Sequence, residues 1–235
     1  MILQKLASAI RRQDWFQVVI EVMIVIVGIY LGFQVTEWGE EQQQRELEKV
    51  YLERLVDDAD ASIAALEGNI GFGEVKSKSI ERTYQLMLNH QVTEDNREEF
   101  TNDFENSRSF ATMDVYLTTI DEIISSGQVT LIQSKEIRDA IGLLRKEYEV
   151  QNRAQERAST GLERIYVDMN DLIKLDETGK LIQNPLEDLN GDGIILRKFR
   201  MLQRVHNRVH VYNARMSNYT KQYKDKILNE LEKMQ

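Results

Sequence analysis

The chain has 235 residues and a formal net charge of −9, with 30 Lys and Arg residues against 39 Asp and Glu residues. This balance argues against a nucleic-acid partner, because phosphate binding needs a basic surface. The sequence contains no cysteine, which excludes disulfides, thiol catalysis and thiolate metal sites. It contains one proline, and we therefore expect long, uninterrupted helices.

A strongly apolar stretch, WFQVVIEVMIVIVGIYLGFQVTEW, covers residues 15–38. A helix of about 20 residues is roughly 30 Å long, which is the thickness of the hydrocarbon core of a membrane. Trp15 and Trp38 bracket the stretch, as aromatic residues do at membrane interfaces. No small-residue cleavage site follows the apolar run, so we interpret it as an uncleaved signal anchor rather than a removable signal peptide. A buried core helix is the remaining alternative.

The charges beside this stretch predict its orientation. Basic residues precede the apolar run from Val18 to Val35 and acidic residues follow it: Lys5, Arg11 and Arg12 come before, and Glu37, Glu40 and Glu41 come after. The positive-inside rule therefore places residues 1–14 in the cytoplasm and residues 39–235 outside it. We predict a single-pass protein of the bacterial inner membrane with a periplasmic C-terminal domain.

One carboxylate, Glu21, lies inside the 18-residue apolar run from Val18 to Val35. Gly28 and Gly32 form a G-x-x-x-G pair, the spacing that lets two membrane helices approach closely, and Glu21 falls on the same helical face. An ionisable group costs about 2.5–3.5 kcal/mol at the centre of a bilayer, and less near an edge. One interpretation is an acid that snorkels to the interface, and the other is a carboxylate that hydrogen-bonds another transmembrane helix. We adopt the second and predict that Glu21, Gly28 and Gly32 are helix-contact residues.

The residues after this stretch predict helices almost throughout. Apolar positions recur at steps of mostly four from Leu47 to Ile70, which is the pattern of one helical face. The glycine-rich stretch GNIGFGEV, residues 68–75, predicts a hinge or turn, with a second helix from about Glu74 to Asn89.

The second half of the chain predicts two long helices. One covers about 134–175 and the other about 196–234, with an irregular loop near 176–195 between them. A shorter helix should stop at Gly127, because glycine commonly ends helices. The predicted fold is all-α: an N-terminal transmembrane helix that continues into a bundle of long antiparallel helices.

A resemblance to a protein family rests on two stretches of the chain, EVMIVIVGIYLGFQVTEWGEEQQQRELEKVYLERLVDD and IDEIISSGQVTLIQSKEIRDAIGLLRKEYE. They resemble an uncharacterised family of bacterial single-pass membrane proteins, a domain of unknown function. The matching positions are Glu21, Gly28-Ile29, Glu37-Trp38, and the element Ser126-Gly127 with Leu131-Ile132. The resemblance implies the single-pass topology and a helical periplasmic domain, and it implies no activity.

The stretch DLNGDGII resembles the first half of a calcium-binding loop and departs from that family. Asp188, Asn190 and Asp192 stand at ligand positions 1, 3 and 5, and Gly193 stands at the sharp turn. Phe199 occupies position 12, where a bidentate acid is expected. Two interpretations stay open: a metal-free turn, and a weak Ca²⁺ site formed by Asp188, Asn190 and Asp192. We expect no other cofactor.

Two histidines, His206 and His210, are four residues apart and could share one helical face. The zinc-protease pattern needs a glutamate after the first histidine, where this chain has Asn207. We therefore interpret both histidines as part of a solvated helix face. With no Ser-His-acid arrangement or glycine-rich phosphate loop evident in the sequence, we expect a protein that is not an enzyme.

The function that these features favour is that of a scaffold or accessory subunit. Its membrane helix would bind copies of itself or another membrane protein, and its acidic bundle would bind a periplasmic partner. The alternative is a periplasmic ligand-sensing module that signals through a partner, because the residues expected inside the cell are too few for an output domain. A metal-dependent enzyme is the less favoured third interpretation.

Overall fold

The described part of the chain is built from helices. The computed structural model describes residues 15–107, 109, 111–172, 177 and 193–234. Its helices are α1 (Trp15–Leu88), α2 (Arg97–Asn106), α3 (Thr118–Ser125), α4 (Lys135–Leu172) and α5 (Gly193–Lys233), with 3₁₀ turns at Glu94–Asn96 and Gln128–Leu131. No residue in these ranges is in a β-strand. The all-α prediction is confirmed, and α4 and α5 are the two long helices expected in the second half.

The chain divides into two compact units, residues 1–50 and residues 51–235. The described part of the first unit is the N-terminal portion of α1, whose large apolar side chains are exposed. The second unit contains the rest of α1 together with α2 to α5, and it holds the apolar core.

Helix α1 continues without interruption through residues 68–75, so the predicted hinge is wrong. Each glycine costs a helix about 1 kcal/mol relative to alanine, which tertiary packing can offset. Leu66 and Ile80 are fully buried on either side of the glycines. A Cβ atom at Gly73 would lie 3.9 Å from Nδ1 of His210, so α5 also passes close to α1 here. Packing against α5 therefore supports a helix that local propensity alone disfavours.

Two apolar clusters form most of the core of the second unit. The first joins α1, α3, the first half of α4 and the last half of α5, and the second joins α1, α2, the last half of α4 and the first half of α5. Helices α1 and α4 therefore run from the first cluster to the second, and α5 runs back antiparallel to both. Fully buried members are Leu55, Ile123 and Met216 in the first cluster, and Ile80, Phe100 and Phe199 in the second.

Helix α5 buries one residue at every third or fourth position along nearly its whole length. The buried seam comprises Ile195, Phe199, Leu202, His206, Val209, Asn213, Met216, Thr220, Tyr223 and Ile227. Alternating steps of four and three keep one helical face against neighbouring helices, as in coiled-coil packing. The seam therefore sets the position of α5 against its neighbours, and it includes polar residues.

Helix α3 is fastened to α1 by polar groups. The Nη1 atom of Arg54 donates to Glu122 at 3.1 Å, and the backbone N–H of Thr119 donates to the Asp58 carboxylate at 2.8 Å. The second bond satisfies an N–H in the first turn of α3 that has no partner within the helix. The chain leaves α3 through Gly127, whose φ of 73° is the left-handed conformation that favours glycine. The predicted stop at Gly127 is confirmed.

Candidate functional site

The first candidate site is the apolar stretch of α1. Its most apolar 18-residue window has a mean hydropathy of 2.4, and none of the window is buried. By length and composition this helix can cross a membrane. Glu21, Gly28 and Gly32 all lie in this exposed part of α1.

These three residues share one face of the helix. At about 100° per residue, Gly28 lies about 20° to one side of Glu21 and Gly32 about 20° to the other. A Cβ atom built at Gly28 or at Gly32 would meet no other atom within 4 Å. The hydroxyl of Thr36 donates to the carbonyl of Gly32 at 3.0 Å, which pairs that polar side chain within its own helix. The arrangement leaves a flat strip, with one carboxylate at its N-terminal end, that a second helix can approach closely.

A second candidate lies in the core, where buried polar side chains separate the two apolar clusters. We call this group the polar layer: Lys76 and Ser79 of α1, Gln151 and Gln155 of α4, and His206 and Asn213 of α5. Buried polar groups are normally hydrogen-bonded, and each unpaired one costs about 1–3 kcal/mol. The partners of these side chains therefore decide what the layer can do.

Two amide side chains of the polar layer lie at the same level of the bundle. Ala158 of α4 packs with Val209 of α5. Gln155 precedes Ala158 by about one turn and Asn213 follows Val209 by about one turn, and because the two helices are antiparallel both amides lie on the same side of this contact. The Gln155 amide donates to the carbonyl of Ala111 at 3.3 Å. The side-chain oxygen of Gln155 and both amide atoms of Asn213 have no partner among the described residues. This end of the layer has unused hydrogen-bonding capacity and no charge.

Lys76 brings a positive charge into the polar layer. Its side chain is only 8% exposed, and its Nζ donates to the side-chain oxygen of Asn106 at 3.2 Å. The same Nζ lies 4.6 Å from the centre of the Phe72 ring, within the range of a cation–π contact. Burial lowers the pKa of Lys76 below its ordinary value. Both described partners of this ammonium group are uncharged.

His206 is the second titratable side chain of the polar layer. It is 4% exposed and forms a hydrogen bond with the backbone of Ser107, while its Nε2 has no partner in the described part of the chain. Burial lowers the pKa of His206 to about 4, the Ser107 bond opposes this shift, and the charge of Lys76 adds to it. The ring is therefore neutral near pH 7.

The interpretation of the two histidines as a solvated face is wrong for His206. His206 occupies a seam position between Leu202 and Val209, whereas His210 is only partly buried, against Gly73. The spacing of Leu202, Val209 and Met216 marks the apolar face of this helix. His206 falls on that face, and this was the sequence signal that could have predicted its burial. The sequence analysis also did not identify Lys76, Gln155 and Asn213 as buried residues, because helical spacing alone does not show which helix packs against a polar side chain.

The proposed calcium ligands Asp188, Asn190 and Asp192 lie outside the described residues, as does most of the irregular loop around them. The Ca²⁺ site therefore stays a prediction. Within the described ranges, no group of three or more His, Asp or Glu side chains is arranged to hold a metal ion.

Comparisons of the chain with family models, with curated proteins and with solved structures found no match. The resemblance to a family of single-pass membrane proteins therefore stays a prediction. The proposals below are supported by the geometry of this chain alone.

Proposed function

We propose that this chain is a non-enzymatic, single-pass protein of the bacterial inner membrane that acts as a scaffold or accessory subunit. The N-terminal part of α1 crosses the membrane, with residues 1–14 in the cytoplasm and the helical unit in the periplasm. The face formed by Glu21, Gly28 and Gly32 binds a second transmembrane helix, from another copy or from another membrane protein.

The observation that carries this proposal is the exposure of the apolar part of α1. Ile24 is 65% exposed, Leu31 57% and Phe33 63%, within a helix that has few polar side chains in this stretch. Exposed apolar surface on this scale is unfavourable in water, and lipid or another protein normally covers it. A bilayer covers the whole circumference of the helix, and a partner helix covers one face.

The continuity of α1 supports a scaffold. The helix that carries the apolar stretch also contributes Leu52, Leu55 and Leu66 to the first apolar cluster. The apolar stretch and these three core residues thus belong to one continuous helix, and no loop lies between them.

Glu21 and the two glycines give the proposed membrane contact its specificity. Glycine lets two helix backbones approach, so that packing and weak polar contacts act at short range. A carboxyl group on the same face can hydrogen-bond across the interface, where it also avoids contact with hydrocarbon. The contact is therefore directional, as expected for a subunit that recognises one partner.

The test is native mass spectrometry of the full chain extracted from its own membrane with an uncharged detergent. We expect either a whole multiple of 27.5 kDa, which indicates self-association, or added mass from a second polypeptide. The double variant Gly28→Leu, Gly32→Leu should reduce the complex, because two large side chains keep the helices apart. Glu21→Gln, which keeps the hydrogen-bonding groups, should be milder than Glu21→Leu.

The matched control places conservative changes on the opposite side of the helix. Met23→Leu together with Ile26→Leu should leave the complex mass unchanged, because both positions lie more than about 120° from Glu21. A parent that is only monomeric, or a glycine double variant with the parental complex, would contradict the proposed face. Equal effects of the two Glu21 variants would instead support a snorkelling acid.

A periplasmic sensor that signals through its partner is the second candidate function. The polar layer favours it, because a buried group with unused hydrogen-bonding capacity is a feature that a scaffold alone does not require.

A further inference from the structure

Helices α4 and α5 concentrate basic charge on one exposed surface of the helical unit. Residues 193–224 of α5 contain eight Lys and Arg residues and no Asp or Glu, in a chain whose net charge is −9. Six exposed arginines form what we call the basic face: Arg153, Arg157 and Arg164 of α4, and Arg197, Arg204 and Arg208 of α5. None of them belongs to the proposed membrane contact or to the polar layer.

The arginines of α5 border the groove between α4 and α5. Gln222 and Lys226 of α5 line this groove together with Leu143 of α4. Arg204 and Arg208 each precede one of these α5 residues by 18 positions, which is five full helical turns. They therefore project from the same side of α5 as the residues that line the groove.

A contact between the two helices sets the arginines of α4 and α5 alongside each other. Ala158 packs with Val209, so their chain neighbours Arg157 and Arg208 lie at the same level of the bundle. Arg157 also lies within about 40° of Leu143 around α4, which places it on the groove side of that helix. Because α4 and α5 are antiparallel, the six arginines together cover roughly 25 Å along the groove.

The six arginines have no ion pair or hydrogen bond with a described residue, although several lysines of α5 do. The paired lysines reach acids on neighbouring helices: Lys198 with Asp168 of α4, and Lys221 with Glu67 and Lys224 with Asp60 of α1. Glu149 of α4 pairs with Arg145 rather than with Arg153. The described part of the chain thus supplies counter-charges to the sides of α5 and none to the basic face.

The spacing of the arginines makes this surface unfavourable when it is empty. Arg153 and Arg157 are four residues apart on α4, and Arg204 and Arg208 have the same spacing on α5. Like charges at this spacing destabilise a helix. An acidic partner that lies along the groove would remove this repulsion.

Exposed apolar side chains alternate with the arginines in a helical pattern. On α5 the steps alternate between four and three residues along Arg197, Met201, Arg204, Arg208 and Val211. Met201 is 48% exposed and Val211 58%. This spacing is that of a seam along which a second helix packs. A nucleic acid or another polyanion would use the arginines and leave these apolar side chains without a contact.

We propose that the basic face binds an acidic amphipathic helix of a partner protein. The carboxylates of the partner accept hydrogen bonds from guanidinium groups on both sides of the groove, and its apolar residues pack on Met201 and Val211. Charge complementarity selects the partner, because it supplies the counter-charges that the arginines lack among the described residues. The contact does not depend on the proposed membrane contact.

The test is the binding of a fluorescent peptide to the full chain in phosphatidylcholine nanodiscs at constant ionic strength. The probe is a helix of about 20 residues made of Leu, Ala and Glu, with its leucines on one face. A second peptide has the same composition with leucines on all sides. Fluorescence anisotropy should show that the parent chain binds the first peptide about fivefold more tightly, because only that peptide can pack on the apolar side chains while its carboxylates reach the arginines.

Two double variants separate the charge of the basic face from its apolar contacts. Arg157→Gln with Arg208→Gln should weaken binding of the first peptide about tenfold, because two charged contacts are lost. Met201→Gln with Val211→Thr keeps every charge and should remove most of the preference for the first peptide over the second. All four positions are exposed, so both variants should keep the parental Tm.

The matched control removes the same amount of charge from a different helix. Arg45→Gln with Lys78→Gln changes two exposed basic residues of α1. This variant should bind the first peptide as tightly as the parent chain does, since neither residue lies on α4 or α5.

Four results would overturn the proposal. A parent chain that binds neither peptide, or both equally, would make the basic face a solvated surface. An equal loss of binding in the control variant would show attraction to net charge alone. Tighter binding of inorganic polyphosphate, insensitive to the Met201 and Val211 changes, would assign the face to a polyanion. A homo-oligomer that only the Arg157 and Arg208 changes dissociate, seen by native mass spectrometry, would assign it to a second copy of the chain.

Discussion

The environment of His206 makes the free energy of unfolding depend on pH. Burial lowers the pKa of this ring from 6.5 to about 4 in the folded chain. The unfolded chain therefore binds more protons than the folded chain between these two values. The contribution of His206 to stability is complete above about pH 6.5 and is lost as the pH falls toward about 4. Its full size is roughly 3 kcal/mol.

The prediction at the residue scale concerns His206→Gln. This variant should flatten the decline in stability between about pH 6.5 and pH 4, because glutamine does not titrate. The measurement is the free energy of unfolding of each chain from denaturant titrations across this range. Taking the difference between parent and variant removes the contribution of the carboxyl groups, which also titrate at acid pH.

The matched control is His90→Asn, at an exposed histidine in the turn after α1. Its φ is 53°, a conformation that asparagine tolerates better than most residues, so the change should not disturb the turn. This variant should keep the parental slope. An equal slope in the parent and in His206→Gln would mean that His206 titrates alike in both states and is not buried as a neutral ring.

At the scale of single elements, α1 shows how packing overrides helix propensity. Gly68 and Gly71 are exposed positions in the interior of a continuous helix, and a Cβ atom at either would meet nothing within 4 Å. Glycine there is an entropic cost to the folded helix with no compensating contact in the described residues.

We expect Gly68→Ala and Gly71→Ala each to raise the free energy of unfolding by about 0.5–1 kcal/mol. Urea titration of the full chain in detergent, followed by circular dichroism, measures the change. Gly127→Ala should have the opposite sign and cost about 1–2 kcal/mol, because an L residue is strained at a φ of 73°. A loss of stability in Gly68→Ala or Gly71→Ala would indicate that the segment is a hinge after all.

Two polar residues of helix α5 concern how specifically the helices pack. His206 and Asn213 occupy seam positions that apolar residues fill elsewhere, and the atoms of Asn213 lack described partners. Polar residues at such positions lower stability, and in some helical assemblies they fix the register of the helices. In this chain they lie between the α5 residues of the two larger apolar clusters, on either side of Val209.

At the scale of the whole molecule, the proposed topology places the two ends of the chain on opposite sides of a membrane. The absence of cysteine makes this testable with single introduced cysteines. In spheroplasts, a membrane-impermeant maleimide should label Ala214→Cys, at an exposed position of α5. It should label Ser8→Cys only after the membrane is permeabilised.

The parent chain is the control in the same experiment, since it has no thiol to react. Labelling of Ser8→Cys alone in intact spheroplasts would reverse the orientation. Labelling of both variants before permeabilisation would contradict a membrane-spanning helix.

The sequence by itself determined the helical class, the apolar stretch, the approximate start of α4 and the approximate ends of α5, whereas it ended the first helix too early. These features are local: one proline, a run of apolar residues and a glycine at position 127 act on the backbone within a few residues. Glu21, Gly28 and Gly32 could also be placed on one face from spacing alone, because the helical repeat fixes their angles. Their role in binding stays a prediction.

Only the tertiary structure decided that α1 continues through its glycines and that Lys76, His206 and Asn213 lie inside. Both outcomes depend on residues distant in the chain, since α5 packs against Gly73 and the end of α2 reaches Lys76 and His206. Local pattern cannot distinguish a polar residue that faces water from one that faces another helix. The difference is made by which helix lies opposite, and that is a property of the assembled bundle.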